Sequence, residues 1–405
     1  MTDITAAADL LPRSNIHSYS LGEELILFDE LSKKLFRNNS TAALIWQGCS
    51  SGFSREEIIA ALSQETNATA EQITNDVNGL ISQWCAGGLL QTNSQSSLPG
   101  QPIDAAEHPV NIMGYNGPLT RLPSGSPEYR FRILDTYFRL KVPTKKELQL
   151  VTPILSHLAV PHENKGEVHL SIVYADGGYL LLHNERLVDW CAHIDGIGPM
   201  LHGNALVIAY EMTDCLMGLH AAAVYCNGKC ILMPAPSGSG KSTLTAALVG
   251  SGFSHCADDL VLLTPAPVYM RPVPVAVGLK TGSWNLLASY HPDLALLPTH
   301  LRSDGKQVRY LVPSVNTIMP MESQPVPVDY ILFSQFADNG NKAILTEISA
   351  AEGLCRLAAA GYEMHGEMAA GNIQQLVDWI TDVPCYQMHF NQLDDAVSVI
   401  QKLIS

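Results

Sequence analysis

The stretch "HAAAVYCNGKCILMPAPSGSGKSTLTAALVGSGFSHCADDLVLL", residues 220–263, decides the reading of the chain. Within it, Ala235–Ser242 fits the relaxed Walker A pattern of Ala or Gly, four residues, then Gly-Lys-Ser. An apolar run precedes the loop and a helix-forming run follows, as a phosphate loop requires. The expected cradle is Ala235, Pro236, Ser237, Gly238, Ser239, Gly240, Lys241, Ser242 and Thr243. Its glycines let backbone N–H groups turn toward phosphate oxygens, Lys241 supplies positive charge, and the Ser242 hydroxyl suits Mg²⁺. A glycine-rich connector is the plain alternative. The nucleotide and metal so implied are ATP and Mg²⁺.

The flanks sharpen this. Asn227-Gly228 is a strong two-residue hairpin signal, so the strand entering the loop is half of an antiparallel hairpin, unlike the crossover strand of common parallel-sheet NTPases. The helix after the loop ends near Gly250–Gly252. Asp258 and Asp259 then close a short apolar strand. One carboxylate can hold the metal and the other can take a hydroxyl proton. Asp258 is assigned as base and Asp259 as metal ligand beside Ser242; the two roles are interchangeable at this stage. Alone, an Asp-Asp pair is a solvated turn; the loop beside it raises the functional reading.

Residues 220–263 resemble the catalytic core of the HPr kinase family: a histidine before a hairpin, a glycine-rich phosphate loop, a short helix and an Asp-Asp pair. The resemblance implies the compact fold shared with phosphoenolpyruvate carboxykinases. It matches His220 to the histidine before the hairpin, and implies a γ-phosphate contact or a partnership with the carboxylates. Without the resemblance, a lone His beside an apolar strand reads as core. It also implies a basic residue near the transferred phosphoryl group, matched by Lys280 in a loop after a proline-rich run; a solvated lysine is the alternative. Arg309 is set aside. Thr243 departs from the family, whose members usually carry Glu there. That points away from kinase/phosphorylase chemistry and toward divergent relatives that phosphorylate ribosomally made peptides.

The 405 residues are 46% hydrophobic and 16% charged, with a net charge of −15. The apolar share supports packed domains, and the acidic balance argues against non-specific nucleic-acid binding. The nine cysteines are scattered without a zinc or disulfide framework, which suits reduced thiols. The first residues lack a signal-peptide pattern and no apolar run nears the ~20 residues that span a bilayer. A cytoplasmic protein is expected.

Four segments are expected: a tail at 1–14, a small domain at 15–95, a Pro/Gly/Ser-rich linker at 96–125 and the phosphate-loop domain at 126–405. The class is mixed α/β (α+β). In the front segment "EELILFDELSKKLFRNN" reads as two strands. "STAALIWQGC" reads as a helix capped by Ser40. Ser54 with Glu57, and Thr69 with Gln72, carry capping-box spacing. Ile73, Val77, Leu80, Ile81 and Trp84 share one helical face before Gly87-Gly88 stops it.

This winged-helix-like pattern resembles the PqqD family of peptide-binding domains. The resemblance implies that the leader of a precursor peptide adds as a strand at about 33–37, facing the helix at about 69–84. DNA binding is disfavoured: residues 15–95 hold four basic side chains (Lys33, Lys34, Arg37, Arg55) against nine acidic ones. A structural or dimerising role is the bland reading.

Together these imply an ATP/Mg²⁺-dependent kinase acting on a hydroxyl, of Ser by expectation, in a peptide recruited by the front domain. A kinase for a metabolite or carrier protein, and a non-catalytic nucleotide sensor, are the alternatives. Oligomeric state is open.

Overall fold

We describe a computed structural model of the chain. It describes residues 10–65, 68–92, 122–161, 167–175, 177–236, 238–337, 342–362 and 369–405. Most of the expected linker, the start of the expected tail, Ser237 of the loop and Asp176 of a hairpin turn lie outside these residues. The chain divides into two compact units.

The first unit holds described residues of Met1–Glu107 together with Ser349–Ala358 and Glu367–Asp382. Its antiparallel sheet runs in the order Ile16–Leu21, Glu24–Asp29, Lys34–Asn38. A positive φ at Gly22 closes the first hairpin. The helices Ser40–Ser50, Arg55–Glu65 and Ala70–Ala86 pack on one face. Leu25 and Leu27 meet Ile45, Trp46, Val77 and Ile81 there, and Trp46 and Trp84 cross edge to face at 5.2 Å. Both capping boxes form: Ser54 with Glu57, and Thr69 with Gln72. The first helix differs from expectation. Asn39, not Ser40, is its cap, and accepts the Ala42 N–H at 2.9 Å. Asn and Ser are equally good caps, and only the extended backbone at Asn39 separates them.

Two further pieces were not read from the sequence. Leu10–Pro12, inside the expected tail, pairs antiparallel with Leu90–Thr92. The helix Ala370–Ile380 packs on strand Ile16–Leu21, and the Tyr19 hydroxyl donates to the Ala370 carbonyl. The middle strand explains the need for a second cover. Leu25, Ile26, Leu27 and Phe28 are all buried, so both faces of the sheet are covered.

The second unit holds described residues of His108–Ile348, Ala359–Gly366 and Val383–Ser405. A five-stranded sheet runs Arg186–Cys191, Gly178–His183, Val168–Ala175, Thr136–Lys141, Glu128–Ile133. A six-stranded sheet runs Ser254–Ala257, Ala221–Cys226, Lys229–Pro234, Tyr330–Phe336, Cys385–Phe390, Ile344–Ile348. The expected hairpin is present: Ala221–Cys226 pairs antiparallel with Lys229–Pro234. Asn227 and Gly228 both take positive φ, the requirement of a type I′ turn. The helices Lys241–Gly250 and Leu393–Leu403 pack together over this sheet. Their apolar faces share a core with Val224, Ile231, Met233, Leu332 and Met388. The mixed α/β class follows directly from this architecture.

Asn39→Ala should lower stability by about 1 kcal/mol, while Ser40→Ala should stay within about 0.5 kcal/mol. Chemical denaturation of the two full-length variants checks this; equal losses would restore Ser40 as the cap.

Candidate phosphate-binding and phosphoryl-transfer site

The hairpin strand Lys229–Pro234 delivers the chain into the loop, and helix Lys241–Gly250 carries it away. Between them Gly238 and Gly240 both sit at φ +91°, backbone open to glycine and strained for other residues. The Gly240 position is also crowded: an added Cβ would lie 3.4 Å from Phe336 Cβ and 3.5 Å from Phe390 Cζ. The Phe336 N–H donates to the Ser239 carbonyl at 3.1 Å, pinning the loop to the neighbouring strand. The helix begins at Lys241, and Lys241, Ser242 and Thr243 of its first turn line a cavity of about 820 Å³.

Lys241 is the electrostatic centre. It is only 4% exposed, and its Nζ donates to Asp258 Oδ1 at 3.0 Å and Asp259 Oδ1 at 3.4 Å. Burial disfavours the ammonium, but Asp258 and then Asp259 more than offset it, so its pKa is raised. The carboxylates differ. Asp258 is fully buried, and burial pushes its pKa up against the pull of Lys241. Its Oδ2 has no partner at bonding distance, although the Ser242 hydroxyl acts on the same carboxylate and pulls its pKa down. Asp259 lines the cavity. Burial acts upward on it too, but Lys241, His202 and His220 outweigh that and hold it low. Asp259 also takes φ +67°, which aims the two neighbouring side chains differently.

Strand Ser254–Ala257 and the phosphate-loop helix thus bring the predicted Lys241, Asp258 and Asp259 into one cluster. The His220 ring donates from Nδ1 to the Asp259 carbonyl at 3.2 Å and lines the same cavity. Pro236, Gly238, Gly240, Ser242 and Thr243 line it as well. Ala235, Ser239 and Asp258 lie behind the lining; Ala235 is buried, and the Ser239 hydroxyl is buried without a partner. Lys280 lines the cavity but is not in a loop. It ends strand Val277–Lys280, where pairing with Val308 fixes its backbone. Burial and then Arg302 lower its pKa. Arg309 instead covers Trp284, 4.0 Å from its ring, and donates to the Leu294 carbonyl, which suits a packing role.

Sequence reasoning passed over His202, Tyr310, Arg302 and Trp190, which share the cavity. His202 and Tyr310 have ring centroids 4.9 Å apart, and the Asp259 charge acts on both. A single His inside an apolar helix carries no signal of its own.

Magnesium was tested against the donor set. Among the described residues no cluster of three or more His, Cys, Asp or Glu side chains could hold a metal ion. Mg²⁺ favours one or two carboxylates with phosphate and water oxygens. Ser242 and Asp259 are hard oxygen donors on the cavity wall beside the loop, and they fit that preference. Among the described residues no helix is long and apolar enough to cross a membrane.

Residues 24–90 match the family model "Coenzyme PQQ synthesis protein D (PqqD)". No curated protein matches the chain. Solved structures similar to it include TbiB1 in complex with the TbiA(beta) leader peptide, 17% identical over 22% of this chain and 99% of that one, at a TM-score of 0.20. A lasso peptide synthetase B1 complexed with the leader peptide is 24% identical over 21% and 99%, also at 0.20. The HPr(Ser) kinase/phosphatase from Coxiella burnetii is 11% identical over 46% and 96%, at 0.22. The PqqD match alone types residues 24–90 of the front segment.

Two buried histidines brace the strand that carries the Asp pair. His255 Nε2 donates to the Val275 carbonyl at 2.8 Å, and His157 Nε2 to the Pro274 carbonyl at 2.9 Å. Their Nδ1 atoms are buried without partners, and burial lowers both pKa values to about 4. The unfolded chain takes up these protons near pH 6.5, before the folded one. Stability should therefore be complete above about pH 6.5 and fall progressively toward pH 4. Urea midpoints of the full chain across that range check this; a flat profile would contradict it.

Proposed function

We propose that this protein is an ATP- and Mg²⁺-dependent kinase that phosphorylates a hydroxyl, of Ser by preference, in a peptide recruited by its front unit. The observation that carries the reading is Lys241, buried at a phosphate-loop helix start and held against two carboxylates of unlike proton affinity. A sensor needs the loop; it does not need a buried carboxylate with raised pKa and an unpaired oxygen beside it.

The roles follow from environment. The amides of the Gly238–Ser242 turn and Lys241 bind and orient the triphosphate. Ser242 and Asp259 would hold Mg²⁺, which when bound neutralises charge on the β- and γ-phosphates. Asp259, kept ionised and open to the cavity, suits that duty. Asp258, whose proton affinity burial raises, is the base for the acceptor hydroxyl in this reading; its carboxylate lies behind the cavity lining, so it must turn toward the cavity to take the proton. His220 fixes the Asp259 backbone and faces the transferred phosphoryl group. Lys280, on a strand end, adds positive charge to the cavity wall.

The front unit supports recruitment. Strand Lys34–Asn38 is the end strand of its sheet and pairs with Glu24–Asp29 on one side. A peptide adding to its other side would gain backbone hydrogen bonds, as in strand addition generally. The PqqD match covers this strand and the helix Ala70–Ala86. The two leader-peptide complexes named above are consistent with a leader as the added strand.

Asp258→Asn should cut phosphoryl transfer about 10²–10⁴-fold while ATP affinity is kept or raised, since Lys241 loses a competing carboxylate. Asp259→Asn should instead raise the Mg²⁺ concentration needed for half-maximal rate; Asn tolerates the positive φ there. Transfer of labelled γ-phosphate to a library of synthetic Ser-containing peptides reads both variants. Full transfer by Asp258→Asn would remove it as base. ATP binding without transfer to any peptide, in the wild type, would leave the sensor or metabolite-kinase reading.

A further inference from the structure

The cavity that holds the phosphate loop has a second wall with the opposite character. Trp190, Val207 and Leu286 line it and are 48%, 44% and 53% exposed, large apolar side chains left uncovered beside charged groups. Met200 and Leu301 continue the wall. Exposed apolar surface gathered in a concave site marks a ligand subsite rather than ordinary surface.

One helix supplies the middle of this wall, and Trp190, Leu286 and Leu301 come to it from other elements. Met200, Gly203 and Val207, on Ile197–Glu211, are spaced to share a face. Near the helix start, Gly198 is packed hard: an added Cβ would lie 2.7 Å from His300 Nδ1. At Gly203 an added Cβ would meet nothing within 4 Å. The helix is clamped at one end and open along the cavity. Its position also says which reactant faces it. His202, on the same helix, lies tilted against Tyr310 with ring centroids 4.9 Å apart, and both feel the Asp259 charge. Asp259, His202 and Tyr310 line the same cavity as Met200 and Val207, so the apolar wall shares its space with a carboxylate of the pair that would meet the accepting hydroxyl. The Ser239 side of the loop is bound instead to Phe336 of strand Tyr330–Phe336.

We infer that Trp190, Met200, Val207, Leu286 and Leu301 form a subsite for apolar side chains that flank the accepting hydroxyl, so that the enzyme selects an apolar acceptor sequence. This rests on the peptide-kinase reading. Selection at the reaction centre is then made by apolar contact, separately from capture of a leader by the front unit.

The test uses the full chain, ATP, Mg²⁺ and a synthetic peptide library with one Ser and randomised flanking positions, read by mass spectrometry of phosphopeptides. Apolar residues next to the phosphorylated Ser should be enriched about tenfold over charged ones. Gly203→Leu, which fills the open face and improves helix propensity, should lower kcat/KM for an apolar-flanked peptide at least about tenfold while the KM for ATP moves less than about twofold. Phosphorylation without flanking preference would overturn the subsite and leave the kinase reading standing. A parallel rise in the ATP KM of Gly203→Leu would assign the wall to the nucleotide and also overturn it. No phosphopeptide from wild-type protein that binds ATP would overturn the peptide-kinase reading beneath it. Should Gly203→Leu fail to fold, the wild-type library decides alone.

Discussion

The ammonium of Lys241, taken out of water and set against Asp258 and Asp259, is the constraint around which the second unit is arranged. Burying charge is costly unless each group keeps its partners and geometry. Three elements must therefore hold their places together: the phosphate-loop helix, the strand before the Asp pair, and the hairpin strand Ala221–Cys226, which pairs with both the loop-entry strand and Ser254–Ala257. The apolar core under helix Lys241–Gly250 supplies the stability that this polar centre does not.

The same pairing gives the site its chemistry. Lys241 forms its ion pairs where phosphate would bind, so a triphosphate would compete with two carboxylates for one ammonium. A bound metal would repay the carboxylate that loses its share of the lysine. Nucleotide and metal are thus expected to bind in mutual support, and a site that held either alone would keep an uncompensated charge. The difference between the two carboxylates then matters. Groups of one kind, adjacent in sequence, are pushed apart in proton affinity, one raised by burial and the other lowered by Lys241, His202 and His220; on the proposed reading that separation lets one hold a cation and the other take a proton.

What could be read from the sequence was what short-range physics fixes. The type I′ turn at Asn227-Gly228, the glycines of the loop, the capping boxes and the apolar face from Ile73 to Trp84 each depend on residues a few positions apart. Lys241 and the Asp pair came together because a hairpin and a short helix leave little freedom in how they return. What escaped depends on distant partners. The run Leu25–Phe28 is apolar at every position, the mark of a strand covered on both faces, yet its neighbours do not say which later segment provides a cover. That segment includes Ala370–Ile380, hundreds of residues on, which is why the compact units do not follow chain order. Lys280 was misplaced for a related reason. Its proline-rich approach reads as a loop, and only pairing with Gln307–Leu311 makes it a strand.

The apolar wall belongs to this second kind of information. Trp190 sits on a strand of the five-stranded sheet, Val207 on a helix, and Leu286 just past a short helical turn. Each alone is an unremarkable surface residue. Only the cavity joins them to the loop, to His202 and Tyr310, and to Asp259. On the proposed reading, the phosphate loop and two aspartates carry the reaction but are blind to the acceptor. The residues that discriminate acceptors must come from elements free to vary around that fixed centre, and the helix Ile197–Glu211 is such an element: held at its start by Gly198 against His300, and open at Gly203 to whatever the cavity must admit.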